Sequence, residues 1–447
     1  MAKGLGWINV MGLVAIIAGA AYVALGPTAG PLGCPKLVNA DPKDIKYTGA
    51  GACAAGACHG SPAPKEDGAT RHNENVTWSK KDAHAKAFTD GDKKGLGSAD
   101  SKKIADALKI ADATKSERCL SCHGTSGLSI GEGVKRFAIP AALQDAASKF
   151  NVADGVSCDS CHGPASKYLP SHTTAGWTAG QRKALGSVKL YDTEGLYDTK
   201  NLKFRANDCI SCHLKIDADM LTAGHPRLPF ELNEFSDGNK TDKDEKWIHW
   251  RDKDKFYGGK VWAMGQTISL REAALAAAEY VKAKAPAAVM TASVEQVKAH
   301  GIMSQQIAAW VDAGAAAELS KALGAALKSS AEADFAALAK AADAVADKLN
   351  DKAIDQGAVE TLLKNVAAEG EQLGASGFAG GEQFAYGLSS LYSTLIKDAA
   401  ADAKKKDGID ALFDPLGDPG TYKKDDFVKA AKALAGTFAG GKSIPLP

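Results

Sequence analysis

The alternation of hydrophobic and polar positions divides the chain into three stretches. Residues 5–25 are almost wholly apolar, and no charged residue occurs between Lys3 and Lys36. From residue 47 to about residue 258, glycine, proline, aspartate and lysine interrupt the apolar runs, so this stretch is expected to be rich in loops. Only short helices are predicted there, at 101–112 and 140–150.

Past residue 262 the pattern changes to that of long helices in an Ala-rich sequence. Apolar residues recur at three- and four-residue steps, which predicts a bundle of about five or six helices. Ser269 and Glu272 have the spacing of a capping box, which predicts a helix over 270–284 that Pro286 ends. Glycines at 374–381 predict a break. The clearest stripes are Leu319, Leu323 and Leu327, then Val345 and Leu349, then Phe384, Leu388, Leu391 and Leu395.

The first stretch is long enough to cross a membrane. A spanning helix needs about 20 apolar residues, whereas the apolar part of a cleaved signal is usually about 7–15 residues long. We therefore expect an uncleaved transmembrane anchor at 1–28, with a cleaved signal as the alternative. In either case the rest of the chain lies outside the cytoplasm. Cys34 follows this segment, either as an unpaired thiol or as a lipid attachment site.

Eight of the nine cysteines occur in four copies of one motif, in which a histidine follows the second cysteine. Such a pattern is typical of covalently bound haem c: the two thiols form thioethers with the porphyrin, and the histidine binds the iron. The first copy has four residues between its cysteines and the others have two. We predict four covalent haems, held by Cys53, Cys58 and His59; Cys119, Cys122 and His123; Cys158, Cys161 and His162; and Cys209, Cys212 and His213.

A zinc site and a redox-active thiol pair would each account for less of this cysteine pattern. Structural zinc uses paired thiolates, but it gives no reason for a histidine after every pair. A thioredoxin-like redox pair requires a βαβ pattern, which the surrounding sequence lacks.

Composition adds two points. The net charge of +1 gives no support for a nucleic-acid partner, and aromatic residues are only 7% of the chain, so the haems are expected to supply apolar bulk.

The sixth ligand of each iron decides what the haem can do. A second histidine closes the iron and suits electron transfer, whereas an open position permits small-molecule chemistry. The chain has six histidines outside the motifs, which is enough for four irons. They are His72, His84, His172, His225, His249 and His300.

Several segments outside the motifs strengthen this interpretation. They occur in the order Tyr47-x-Gly, Trp78, DAHAKAF at 82–88, GVSCDSCHGPA at 155–165, CISCH at 209–213, MLTAGHPRLPFEL at 220–232 and IHW at 248–250. In this order the chain resembles the cytochrome c-554 family of multihaem c-type cytochromes over roughly residues 47–265. We therefore expect a haem-organised domain at 29–261, mainly α with extensive loops. The helical pattern past residue 262, most of which the resemblance does not cover, predicts an α-helical bundle domain at 262–447.

The resemblance also implies distal ligands. His84 would face the His162 haem, His172 would face His59, and His249 would serve the fourth haem. His225 has no counterpart in the best-known member of the family, where the second haem has an open position. It would therefore close the His123 haem or, alternatively, bind the His213 haem, whereas His72 and His300 are expected to be ordinary side chains.

Together these features predict an electron carrier between donor and acceptor redox proteins, on the periplasmic side of a membrane. No catalytic residue is required. The alternatives are a haem enzyme that acts on a small nitrogen compound at an open iron, and a cytochrome subunit of a larger membrane redox complex.

Overall fold

The computed structural model describes residues 45–65, 70–89, 95–131, 133–148, 150–236, 256–398 and 402–445. Within these ranges the protein has 18 helices and one two-stranded sheet, which confirms the predicted mainly α fold with extensive loops. No helix in these ranges is long and apolar enough to cross a membrane. The predicted anchor at 1–28, Cys34 and His249 lie outside the described residues.

The helices of residues 45–236 are short. They are α1 (Ala50–Cys53), α2 (Glu74–Lys81), α3 (Ala99–Ala107), α4 (Glu117–His123), α5 (Cys158–His162), α6 (Trp177–Glu194), α7 (Leu202–His213), α8 (Ala218–Thr222) and α9 (Leu232–Ser236).

Only one of the two short helices predicted in this region is present. Helix α3 takes the place of the predicted helix at 101–112. The helix predicted at 140–150 is wrong, because only a 3₁₀ turn forms, at Ala141–Leu143. The backbone there pairs with another segment: Tyr47 donates its N–H to the carbonyl oxygen of Leu143 at 2.8 Å and forms a β-bridge with Gln144.

A β-hairpin between the second and third motifs was not predicted. Strands β1 (Ser126–Gly131) and β2 (Gly133–Ala138) are antiparallel, and their register runs from Ser126 opposite Ala138 to Gly131 opposite Gly133. Leu128 and Val134 are buried, and β2 packs against both α4 and α7. The hairpin therefore lies between the helices that carry the second and fourth motifs.

The bundle has more helices than the sequence predicted. Nine helices occur in the described residues from 256 onwards, of which five are long. They are α10 (Tyr257–Lys282), α11 (Ala287–Val311), α12 (Ala313–Ser329), α13 (Glu332–Asn350), α14 (Gln356–Ala367), α15 (Gly370–Ser376), α16 (Phe378–Asp398), α17 (Ala403–Asp410) and α18 (Lys424–Ala435). The predicted glycine break lies between α15 and α16, where Gly377 has a φ of 146°.

The predicted capping box is wrong. Ser269 and Glu272 lie buried in the middle of α10, which begins twelve residues before Ser269, at Tyr257. Glu272 forms ion pairs with Arg271 at 2.7 Å and with Lys215 at 3.1 Å, so its side chain serves a tertiary contact. The helix ends at Lys282, a few residues before Pro286.

One hydrophobic core fills the bundle and extends into the region of the motifs. Leu202, Ala206 and Ile210 follow one another at four-residue steps on α7 and are buried in this core. Phe230 and Leu232 join it from the segment after α8. The division between 29–261 and 262–447 stays a prediction, but helix α7 packs directly against the bundle helices α10 and α13.

Candidate haem-binding sites

Three of the four motifs have the same local structure. In each of them an α-helix ends at the motif histidine: α4 at His123, α5 at His162 and α7 at His213. In a helix, positions i, i+3 and i+4 lie on one face. The spacing Cys-x-x-Cys-His therefore presents two thiols and one imidazole on the same side, as a covalent haem requires.

The stretched first motif reaches a similar arrangement through a turn. Helix α1 ends at Cys53, and the chain then folds back so that His59 donates its N–H to the carbonyl oxygen of Cys53 at 3.3 Å. Gly60 closes the turn, since a Cβ atom there would lie 1.9 Å from the carbonyl oxygen of Ala54. Gly56 has open space around it, which shows that the extra residues bulge outwards.

The eight motif cysteines are partly buried, and none is in a disulfide. The thiols of Cys53 and Cys158 lie close enough to affect each other's ionisation, and the same holds for Cys122 and Cys212. The first motif is therefore next to the third, and the second is next to the fourth.

The histidine rings form pairs at a distance that fits one iron between them. Because a metal–imidazole bond is about 2 Å long and the ring centre lies about 1 Å behind the nitrogen, rings on opposite sides of one metal have centroids about 6 Å apart. The centroids of His59 and His172 are 6.4 Å apart, and those of His123 and His225 are 6.2 Å apart. The structure thus brings His172 to His59, as the resemblance implied, and His225 to His123 and not to His213.

The third pair differs from the one that the resemblance implied. His84 lies 6.2 Å from His213, centroid to centroid, whereas the resemblance implied a pairing with His162. The backbone of His84 does lie beside the third motif, because its carbonyl oxygen accepts the N–H of Val156 at 2.9 Å. Its ring, however, points to the fourth motif, which lies next to the third. His249, to which the resemblance assigned the fourth haem, lies outside the described residues.

In five of these six rings the second nitrogen is hydrogen-bonded in a way that suits iron ligands, whereas Nδ1 of His213 is buried without a hydrogen-bond partner. A metal-bound histidine usually donates its other N–H to a carboxylate or a backbone carbonyl, which orients the ring. Here the Nδ1 atoms of the five rings bond to such oxygens and leave Nε2 available. The acceptors are Glu74 for His59 (3.0 Å), Asp82 for His84 (3.0 Å), Ala87 for His123 (3.1 Å), Leu169 for His172 (2.7 Å) and Pro226 for His225 (3.0 Å).

Residues 52–163 match the family model described as cytochrome c554 and c-prime. The resemblance seen in the sequence is confirmed over this part of the chain. The family comprises c-type cytochromes, so the match supports covalent haem, electron transport and the need for redox partners. The matched residues of this cytochrome segment include the first three motifs, whereas the fourth motif and the bundle lie beyond them. No curated protein and no solved structure matches the chain.

The electrostatics of the cytochrome sites favour ligands in the required protonation states. Burial opposes ionisation of Glu74, but the hydrogen bonds from His59 and from the backbone of Arg71 hold its pKa at about 2, so it is a carboxylate. Burial lowers the pKa of His213 to about 4. The ring of His213 is therefore neutral at pH 7, as metal binding requires.

The sequence analysis did not identify two aromatic side chains that lie beside the fourth motif. Phe230 and Phe235 lie 5.4 and 5.8 Å from the His213 ring, centroid to centroid, and 5.6 Å from each other. They form an aromatic wall beside this histidine. Phe230 lies in the 220–232 segment that the sequence singled out, but only the contact with His213 gives it a role.

The two histidines that were expected to be ordinary side chains, His72 and His300, have hydrogen bonds within the protein. His72 bonds through Nδ1 to the carbonyl oxygen of Cys58 at 2.5 Å, although its ring also lies 6.3 Å from that of His59. His300 is buried in the bundle, and its Nδ1 bonds to Oε1 of Gln266 at 2.8 Å.

Proposed function

We propose that the protein is a tetrahaem c-type cytochrome that carries electrons between redox partners outside the cytoplasm. The observation that supports this most directly is the set of three histidine pairs, each with the separation that one iron between the rings requires. An iron with two histidine ligands has no open position. Such haems suit electron transfer and not small-molecule chemistry.

The proposed ligand pairs follow from these separations. The first haem has His59 and His172, the second has His123 and His225, and the fourth has His213 and His84. We assign His249 to the His162 haem, because the other three distal histidines are already placed. Each site then holds one covalent haem through its two cysteines.

The contacts between motifs give a route for the electrons. The first and third motifs meet at Cys53 and Cys158, and the second and fourth meet at Cys122 and Cys212. The third and fourth motifs are joined through Arg136. The haems would then follow one another in the order first, third, fourth, second. Bound haems would supply the one-electron chemistry of this route, and the chain would supply the cysteines that attach them and the ligands and burial that set their potentials.

We propose that the apolar segment 1–28 anchors the exported cytochrome in a membrane. A donor protein would reduce a haem at one end of the series, and an acceptor would oxidise a haem at the other end. No group of the chain needs to transfer a proton or attack a substrate in this function.

The test is a combined measurement on the oxidised full-length holoprotein. Mass spectrometry is expected to give four covalent haems, and electron paramagnetic resonance is expected to give low-spin signals that added nitric oxide does not change. His225→Ala is expected to create one high-spin haem that binds nitric oxide. His300→Gln is the matched control and leaves all haems low-spin. A high-spin haem in the wild-type protein that binds nitric oxide would contradict the closed sites.

A further inference from the structure

Arg136, on strand β2, is a buried charged residue that the ligand assignment does not use. Its side chain and that of its partner Asp208 are each only 4% exposed, and the two form an ion pair. Burying an arginine is costly unless its donors are all satisfied by nearby acceptors. The position of these acceptors shows what the residue does.

The bonds of Arg136 join the third and fourth motifs. Its Nε donates to Oγ of Ser211 at 2.8 Å, and one Nη donates to the carbonyl oxygen of Ser160. Ser160 lies between the two cysteines of the third motif, and Ser211 lies between those of the fourth. The other Nη bonds to Asp208, which directly precedes Cys209. One guanidinium thus holds two haem-attachment helices, α5 and α7, at a fixed separation.

The strand that carries Arg136 extends this arrangement. Nη1 of Arg136 also lies 3.4 Å from Oγ of Ser126, and the N–H of Ser126 donates to Oγ of Ser160 at 3.0 Å. The hairpin is thereby attached to the third motif through both of its strands. The side chain of Arg136 is fixed at several points and has little freedom to move away from the motifs.

The charge of Arg136 also acts on three haem sites. The sulfur atoms that lie close enough to interact with it electrostatically include those of Cys122, Cys161, Cys209 and Cys212. They belong to the second, third and fourth motifs, so the guanidinium lies where these three sites meet. In a buried environment the interaction between charges is weakly screened.

We propose that Arg136 positions the third and fourth haems relative to each other and raises the reduction potentials of the haems around it, with Asp208 opposing that effect. The inference rests on the proposed function, since it requires haems at these motifs. Reduction removes one positive charge from a haem, so a nearby cation disfavours the oxidised form and raises the potential. A nearby carboxylate has the opposite effect.

The experiment uses potentiometric titration of the full-length holoprotein, followed by optical and paramagnetic resonance spectra. Arg136→Gln is expected to lower the midpoint potential of at least one haem. Asp208→Asn keeps an oxygen acceptor for Arg136 but removes the negative charge, and it is expected to raise the same potential. Arg136→Lys keeps the charge and is expected to stay close to the wild-type potential.

The matched control is Arg182→Gln. Arg182 lies on α6 and forms an ion pair with the buried Asp198 at 2.5 Å; its own side chain is 32% exposed, and its partner is not a motif residue. Loss of Arg182 is expected to leave the midpoint potentials of the haems unchanged. If Arg136→Gln fails to fold, the Asp208→Asn variant still shows whether removing the negative charge raises the haem potential.

Shifts of opposite sign in the Arg136→Gln and Asp208→Asn variants would support the proposal, because a merely structural role does not predict a sign. Shifts of equal sign, or unchanged potentials in both variants with all haems retained, would overturn it. Failure of the proposed function has a different signature: the wild-type protein would then lack four covalent haems or would show a nitric-oxide-binding iron before any substitution is made.

Discussion

The two halves of the molecule are held together in different ways. The bundle has one continuous hydrophobic core, whereas the described part of residues 45–199 forms three small buried clusters, which centre on Leu128, Tyr168 and Leu96. Histidine pairs and buried hydrogen bonds connect the motifs across long distances in the sequence. The difference indicates that the bundle is specified by its own side chains, while the motif region depends on a group that fills the space between its ligands.

The largest expected effect comes from producing the full chain without haem attachment. Hydrogen exchange is expected to show native-like protection in the bundle, and protection about 1000-fold lower, or about 4 kcal/mol, in residues 45–162. Helix α7 is the internal control, because its buried face belongs to the bundle core. Native-like protection of residues 45–162 without haem would remove the distinction between the two regions.

A substitution in the bundle core tests whether the side chains of the bundle, and not the haems, stabilise this half of the molecule. Phe384 is fully buried and its ring centroid lies 6.3 Å from that of Phe427. Phe384→Ala is expected to reduce the free energy of unfolding by about 3–5 kcal/mol, because it leaves a cavity. Denaturant unfolding followed by circular dichroism measures this. Ile396→Ala, at a 37% exposed position on the same helix, is expected to change little, and the haem spectra should not change in either variant.

The bundle is also expected to lose stability in acid through His300. Burial lowers the pKa of this histidine to about 3, compared with 6.5 for an unburied ring. Below pH 6.5 the unfolded chain therefore binds a proton that the folded chain does not, and stability falls until about pH 3. The loss between pH 6.5 and pH 4.5 is about 2.3 kcal/mol.

His300→Gln tests this acid sensitivity. Its side-chain amide can still donate to Gln266, but it has no ionisation in this range. Comparing the free energies of unfolding of the two proteins at pH 7 and pH 4.5 isolates the contribution of the histidine. An equally steep loss of stability in the variant would show that other groups cause it.

The smallest expected effect concerns the contact between the two halves. The side chain of Gln383 donates to the carbonyl oxygen of Phe230 at 2.8 Å and accepts the N–H of Phe230 at 3.2 Å. Gln383→Leu leaves both backbone groups unpaired and is expected to cost about 2 kcal/mol.

Because Phe230 lies against His213, this variant should also alter the spectrum of the fourth haem and no other. The control is Gln356→Leu, which changes an exposed glutamine bonded to Glu360. A stability loss without a spectral change would show that the bundle does not fix this site.

The parts of the structure that depend on local spacing could be predicted from the sequence. The four motifs and the stripes at Leu319, Leu323 and Phe384 are of this kind, because one helix or turn decides which side chains share a face. The partner of His84 could not be predicted, since it depends on how two distant motifs meet. Arg136 is a similar case: an arginine on an unpredicted hairpin has no sequence signal that it will be buried among haem sites.

The capping-box error at Ser269 and Glu272 has a related cause. The spacing is the same whether the two residues begin a helix or lie within one. In the folded protein Glu272 forms an ion pair with Lys215, which is distant in the sequence. The local spacing therefore does not show that Glu272 lies within the helix.

The histidine pairs also affect the order in which the protein can be assembled. A chain exported from its N-terminus delivers His59 and His123 long before their partners His172 and His225. Haems attached during export would therefore have one exposed iron face in the first two sites until translation is well advanced. At the fourth site His84 is already outside when His213 emerges, so this haem can be closed as soon as it is attached. If synthesis is arrested between residues 172 and 225, the chain contains His172 but not His225. Of the first two irons, only the second is then expected to bind external ligands.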